Sequence, residues 1–184
     1  MAAQEPRRLF FALWPTEAMR AALLAVTGEA RAALADARLI PAENWHLTLA
    51  FLGSVASSAL DTVSRAASEV AHQVRLGGRI EFRFDHLEFW ARPQLACASA
   101  RDPSPAAEAL AQALREALLR AGFAPDLKPF RAHVTLARKV LHSPRALVLS
   151  PVTWSFGEFA LIDSRTAPLG SLYSVLATWP LDGA

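Results

Sequence analysis

Only one cysteine, Cys97, occurs in the 184 residues. No disulfide can form within the chain, and a lone thiol in an apolar stretch reads as a small buried hydrophobe. Lysine is nearly absent: of 19 basic residues only Lys128 and Lys139 are lysines, and the rest are arginines. Long hydrophobic runs are missing. No stretch of about 18 uncharged apolar residues exists, which excludes a helical membrane span. The opening MAAQEPRRLFFALWP sets a basic pair before an apolar run, but the run is short and lacks a small-residue cleavage site, so it reads as a strand rather than a signal peptide. Net charge is only +2, too little for a broad nucleic-acid surface. Metal-ligand patterns are absent as well: no HExxH, no CxxC and no carboxylate triplet at ligand spacing. The expectation is a cytoplasmic protein without a metal or cofactor.

What is present is apolar. Hydrophobic residues make up 53% of the chain, enough for a sizeable core. The arginine bias has a bland source in codon usage, yet it also supplies rigid donor forks suited to phosphate. No low-complexity linker divides the sequence, so residues 1–184 are expected to form one domain.

The elements follow from pattern. Arg8–Trp14 is a near-continuous apolar run before Pro15, hence a buried strand. Thr16 caps a helix running to about Ala37. Trp45–Leu52 alternates and is expected to end at Gly53. A second helix spans Ser57 to about Val74, and Gly77-Gly78 breaks the chain. Arg79–Trp90 and Leu95–Ala100 read as strands. Ser104 or Asp102 opens a third helix that Gly122 ends. Ala132–Lys139, Val152–Ser164 and Leu172–Trp179 are further strands, with a turn around Pro168–Gly170 between the last two.

One internal echo stands out. His46-Leu47-Thr48-Leu49-Ala50 recurs as His133-Val134-Thr135-Leu136-Ala137, half a chain away. A duplicated α+β unit is the economical explanation. The expected architecture is therefore bilobal α+β, with antiparallel sheets flanking a central cleft and helices outside. On a strand, alternate side chains share a face. His46 goes with Thr48, and His133 with Thr135, while Leu47, Leu49, Val134 and Leu136 anchor the strands. Two lobes related by approximate two-fold symmetry would bring the four polar residues into one cleft.

That set fits one chemistry well. Opening a cyclic phosphodiester needs a base to deprotonate water and an acid to protonate the leaving sugar oxygen. Histidine serves both near neutral pH. Threonine hydroxyls can donate to non-bridging oxygens whose charge rises in the transition state. The site expected from the residues is His46, Thr48, His133 and Thr135.

The two HxTL motifs, with RLFFALWP at the start, resemble the RNA 2′,3′-cyclic phosphodiesterases historically called 2′-5′ RNA ligases, within the two-histidine phosphoesterase superfamily. Residues Trp45–Gly53 and Phe130–Arg138 are similar to the family's two motifs, and the segments near Leu161–Ser164, Gly170–Tyr173 and Trp179–Leu181 to its last strands. One departure is Ala132, where the family commonly has proline. The resemblance implies hydrolysis of an RNA terminal 2′,3′-cyclic phosphate to a 2′-phosphate, reversible 2′-5′ joining of RNA ends, and RNA ends such as tRNA fragments as partners. It also implies Arg138 as a phosphate contact. Simple alternation puts Arg138 on the wrong face, so that role requires the strand to end or bulge there. Phe11 on the first strand is a candidate base-stacking surface, with core packing as its equal alternative. His86 is a weaker candidate for the cleft, and His72 and His142 are expected in solvent. Two other functions use the same cleft: phosphodiester cleavage in a small cyclic nucleotide or ADP-ribose cyclic phosphate, and non-catalytic binding of RNA ends. A cleft made within one chain makes a monomer the default.

Overall fold

The computed structural model describes residues 5–74, 78–102, 104–143, 148–168 and 170–182; Gly77 and Leu169, within the expected turns, lie outside them. Its elements are β1 (Arg7–Leu13), α1 (Glu17–Ala32), β2 (Arg38–Leu39), β3 (Leu47–Val55), α2 (Leu60–Gln73), β4 (Ile80–Trp90), β5 (Leu95–Ala100), α3 (Pro105–Arg120), β6 (His133–Arg138), β7 (Val148–Phe156), β8 (Glu158–Ala167) and β9 (Gly170–Pro180). All strand pairs are antiparallel. They form two sheets, ordered β3-β1-β8-β9 and β2-β6-β5-β4-β7. The α+β class with antiparallel sheets holds. Among the described residues no helix is long and apolar enough to cross a membrane.

The unbroken apolar run of β1 is explained by its place. It pairs with β3 on one side and β8 on the other. Leu9, Phe11 and Leu13 enter the main core, whereas Phe10 and Ala12 join a smaller cluster on the opposite face. With both faces covered, the strand cannot show polar alternation.

The helices cross-connect the sheets. Helix α1 leaves the β1 sheet but packs on β7 of the other, where the Trp154 indole donates to the Met19 carbonyl at 2.8 Å. Helix α3 leaves β5 and packs on β3 and α2. One core of buried side chains therefore takes in both sheets and all three helices. Thr16 caps α1 and Ser104 caps α3, each accepting from the backbone three residues on, which decides for Ser104 over Asp102.

Of the expected boundaries that shift, three bear on the packing. Helix α1 stops at Ala32 and turns follow, letting Leu34 pack against Ala96, Ala137 and Val140. Strand β3 runs through Gly53 to Val55, because Gly53, at φ +75°, serves an irregular pairing opposite Leu9 instead of ending the strand. The expected strand Val152–Ser164 is two strands. Strand β7 pairs with β4 and β8 with β1, so the chain passes between sheets at Gly157. There a Cβ would lie 2.9 Å from the Arg79 guanidinium, which is held on Ser155.

Candidate active site

The repeated motifs lie on one strand of each sheet, β3 at an edge beside β1 and β6 between β2 and β5, with His46 immediately before the first residue of β3 and His133 the first residue of β6. Each is bulged at the same place. On β3, Thr48 pairs with Ala12 and Ala50 with Phe11, leaving Leu49 extra. On β6, Thr135 pairs with Cys97 and Ala137 with Ala96, leaving Leu136 extra. A bulge puts two successive residues on one side and resets the alternation beyond them. Leu49 and Ala50 are both buried in the main core; Leu136 is buried there too, and Ala137 is buried in the cluster around Leu34. The following residues, Phe51 and Arg138, consequently return to the side of the histidines. The condition on Arg138 is met by this bulge.

A cavity of about 630 Å³ lies between the sheets, and His46, Thr48, Phe51, His133, Thr135 and Arg138 all line it. The structure brings together five of the six residues expected at the site. The sixth, Phe11, is corrected: it is fully buried against Phe159 and Trp179 in the core. Its neighbour Phe10 faces the cavity, with its ring 4.8 Å from His46. Because β1 is apolar on both faces, the sequence offers no means of choosing between adjacent phenylalanines.

The two imidazoles are held alike. His46 Nδ1 lies 2.7 Å from the Asn44 carbonyl and His133 Nδ1 2.8 Å from the Arg131 carbonyl. A carbonyl can only accept, so each Nδ1 carries the proton and each Nε2 is the nitrogen left for a reacting group. Phe10, Trp14 and Tyr173 surround the His46 ring at 4.8, 5.6 and 5.4 Å. Trp90 packs on His133 at 4.5 Å. The Asn44 amide donates to the Ser171 carbonyl on β9 at 2.9 Å, fixing the residue that orients His46. Thr135 is hydrogen-bonded to Cys97, whose thiol burial pushes up to about 12, so it stays protonated. Among the described residues no three His, Cys, Asp or Glu side chains gather closely enough to hold a metal ion.

The family model described as the 2′-5′ RNA ligase superfamily matches residues 16–167, both motifs included. The chain belongs to the 2′-5′ RNA ligase superfamily. Curated relatives include the RNA 2′,3′-cyclic phosphodiesterases of Escherichia coli, 31% identical with 96% of this chain and 98% of the relative covered, and of Thermus thermophilus, 33% identical with 96% and 91% covered. Among solved structures, E. coli LigT complexed with 3′-AMP matches with a TM-score of 0.80 at 29% identity, covering 96% of this chain and 99% of that one.

In this 2′-5′ RNA ligase superfamily member the electrostatics of the two histidines differ. Burial lowers His46 to about 4, and the positive charges of His133, Arg138 and Arg20 act in the same direction. Burial also lowers His133; Arg131 and Arg138 add to this, while Glu88 opposes it. Asn44, Phe10 and Tyr173 were not singled out by sequence reading, for an asparagine in a turn and aromatics on apolar strands carry no mark of their own. His86 sits outside this cavity, in a neighbouring one of about 350 Å³ that reaches His133 from the other side. His72 and His142 are exposed.

Proposed function

We propose that this chain hydrolyses the 2′,3′-cyclic phosphate at an RNA 3′ end to a 2′-phosphate by metal-independent acid–base catalysis. The observation that carries the reading is two imidazoles, each fixed through Nδ1 on a backbone carbonyl, lining one cavity between matched, bulged strands. The names of the curated relatives support the substrate class.

Water attacks phosphorus while one neutral Nε2 takes its proton. The other imidazole, protonated, gives a proton to O3′ as the P–O3′ bond breaks, leaving the phosphate on O2′. The Thr48 and Thr135 hydroxyls donate to the non-bridging oxygens, and Arg138 offers a charged donor at the rim. A 5′-hydroxyl in place of water gives a 2′-5′ bond by the same proton transfers. The whole chain acts as one unit whose two lobes each bring one histidine and one threonine.

The test is turnover of a short RNA ending in a 2′,3′-cyclic phosphate, with and without chelator, beside a small cyclic nucleotide. The expected product is a 2′-phosphate in both conditions. His46→Ala and His133→Ala should each lose most of the rate, on the order of a thousandfold, and the double variant little more. Loss of activity with chelator would overturn the metal-free reading. Preference for the mononucleotide would move the substrate to small cyclic phosphates, and RNA binding without turnover would leave an RNA-end binding protein.

A further inference from the structure

The shells around the two histidines are built to one plan with one difference. Behind His46 stands Trp14, with the Arg20 guanidinium 4.8 Å from that ring's centre. Behind His133 stands Trp90, with the Arg131 guanidinium at 4.3 Å. Among the described residues, only in the second stack does a carboxylate hydrogen-bond both the indole and the guanidinium. Glu88 Oε2 accepts from the Trp90 indole at 2.8 Å and from Arg131 Nη2 at 3.1 Å. Glu88 Oε1 faces His86 Nε2 at 3.4 Å, and His86 Nδ1 lies 2.8 Å from Asp85. Burial works to raise the Glu88 carboxyl, but the Trp90 and His86 hydrogen bonds and the Arg131 charge prevail, so it stays ionised.

We propose that Glu88 is a positioning residue for His133: it fastens Trp90 and Arg131 into a clamp on that imidazole and keeps a negative charge beside it, making the two histidines unequal. The ring contact and the Nδ1 hydrogen bond of His133 both run through the clamp. The Trp90 ring packs against it at a tilt of 50°, and the backbone of Arg131 holds its Nδ1. Rotation of either would move Nε2 in the cleft, where small displacements lower rates strongly. The other groups whose charge acts on His133 are Arg131, Arg138 on β6 and His46 across the cleft, all cationic when charged. Its second cavity also holds His86, Arg101, Asp102 and Glu108. On the His46 side Glu43, which lines the same cavity, interacts electrostatically with Arg20 and Arg31.

The inference rests on the proposed two-histidine activity, but one arm of its test does not. Histidine NMR titration of the intact protein follows both rings without substrate. In Glu88→Gln the His133 midpoint is expected at lower pH than in the wild type, with His46 unmoved. With RNA substrate, kcat should fall roughly tenfold or more at nearly constant KM. Trp90→Phe keeps a ring on His133 and cuts the hydrogen bond to Glu88; it should lower kcat too, and serves if Glu88→Gln does not fold. An unmoved His133 midpoint in Glu88→Gln, or wild-type kcat in Trp90→Phe, overturns the proposal. If the wild-type protein turns over no cyclic phosphate, the activity reading fails, and the titration still decides on Glu88.

Discussion

The Leu49 carbonyl accepts a hydrogen bond from the Arg115 guanidinium at 3.1 Å, inside the core. Leu49 is the extra residue of the β3 bulge, whose carbonyl the ladder cannot use. Its counterpart on β6, Leu136, has its carbonyl taken by the Ile40 amide at 2.8 Å. Both bulges are therefore satisfied from outside their own ladder, one by a side chain and the other by backbone.

Arg115 is accordingly a weak point that can be tested. Arg115→Met removes the donor and leaves the Leu49 carbonyl buried without a partner, at a cost of about 1–3 kcal/mol. Denaturant unfolding should show that loss. The variant should also lower kcat, since Thr48 and Phe51 are aimed by the bulge. A stability loss with wild-type kcat would mean that the bulge holds without its brace.

Phe10 and Phe11 should separate cleanly. Phe11→Leu opens space in the core and should cost about 1 kcal/mol or more, with kcat per folded molecule unchanged. Phe10→Leu removes a ring from His46 and should change kcat and the pH profile at a modest stability cost. Thermal melts beside steady-state kinetics at several pH values distinguish the two.

Arg138→Ala should raise KM about tenfold through loss of one charge-assisted contact to phosphate, with a smaller change in kcat. Each phosphate contact contributes to the salt dependence of binding. A plot of log KM against log salt should therefore be shallower for the variant. An unchanged slope would place Arg138 off the phosphate.

The pH dependence follows from His46. Its value is about 4 in the folded chain, against about 6.5 when unfolded. Between those values the unfolded chain binds more protons, so stability is full above about pH 6.5 and declines as pH falls toward 4. His46→Gln should flatten that decline in unfolding curves taken across this range. In catalysis, bound phosphate brings negative charge to both histidines and raises them. The kcat profile, bell-shaped in this mechanism, should therefore peak at higher pH than that of kcat/KM. Coincident profiles would argue against phosphate between the rings.

The strands that position His46, Thr48, His133 and Thr135 are legible because polar residues interrupt an otherwise apolar alternation, and because the interruption repeats. The bulges are not, for a bulge is a property of two paired strands and neither strand records its partner. Arg138 thus looked misplaced until its pairing with Leu95, past the extra Leu136, was known. The passage between sheets at Gly157 was hidden by a period that continues on both sides of it. Glu88 looked like any outward carboxylate on an alternating strand. Its meaning comes from Trp90 and Arg131, and Arg131 lies far along the chain.

The two braces have a mechanical consequence. Arg115, on the helix after β5, supports the strand that carries Thr48, and Ile40, on the segment before β3, supports the strand that carries Thr135. Each half of the chain reaches behind the cleft to stiffen the other's wall, as α1 and α3 do on a larger scale. The two walls are tied to each other as the jaws of a jig are, by hydrogen bonds that run through the protein alone.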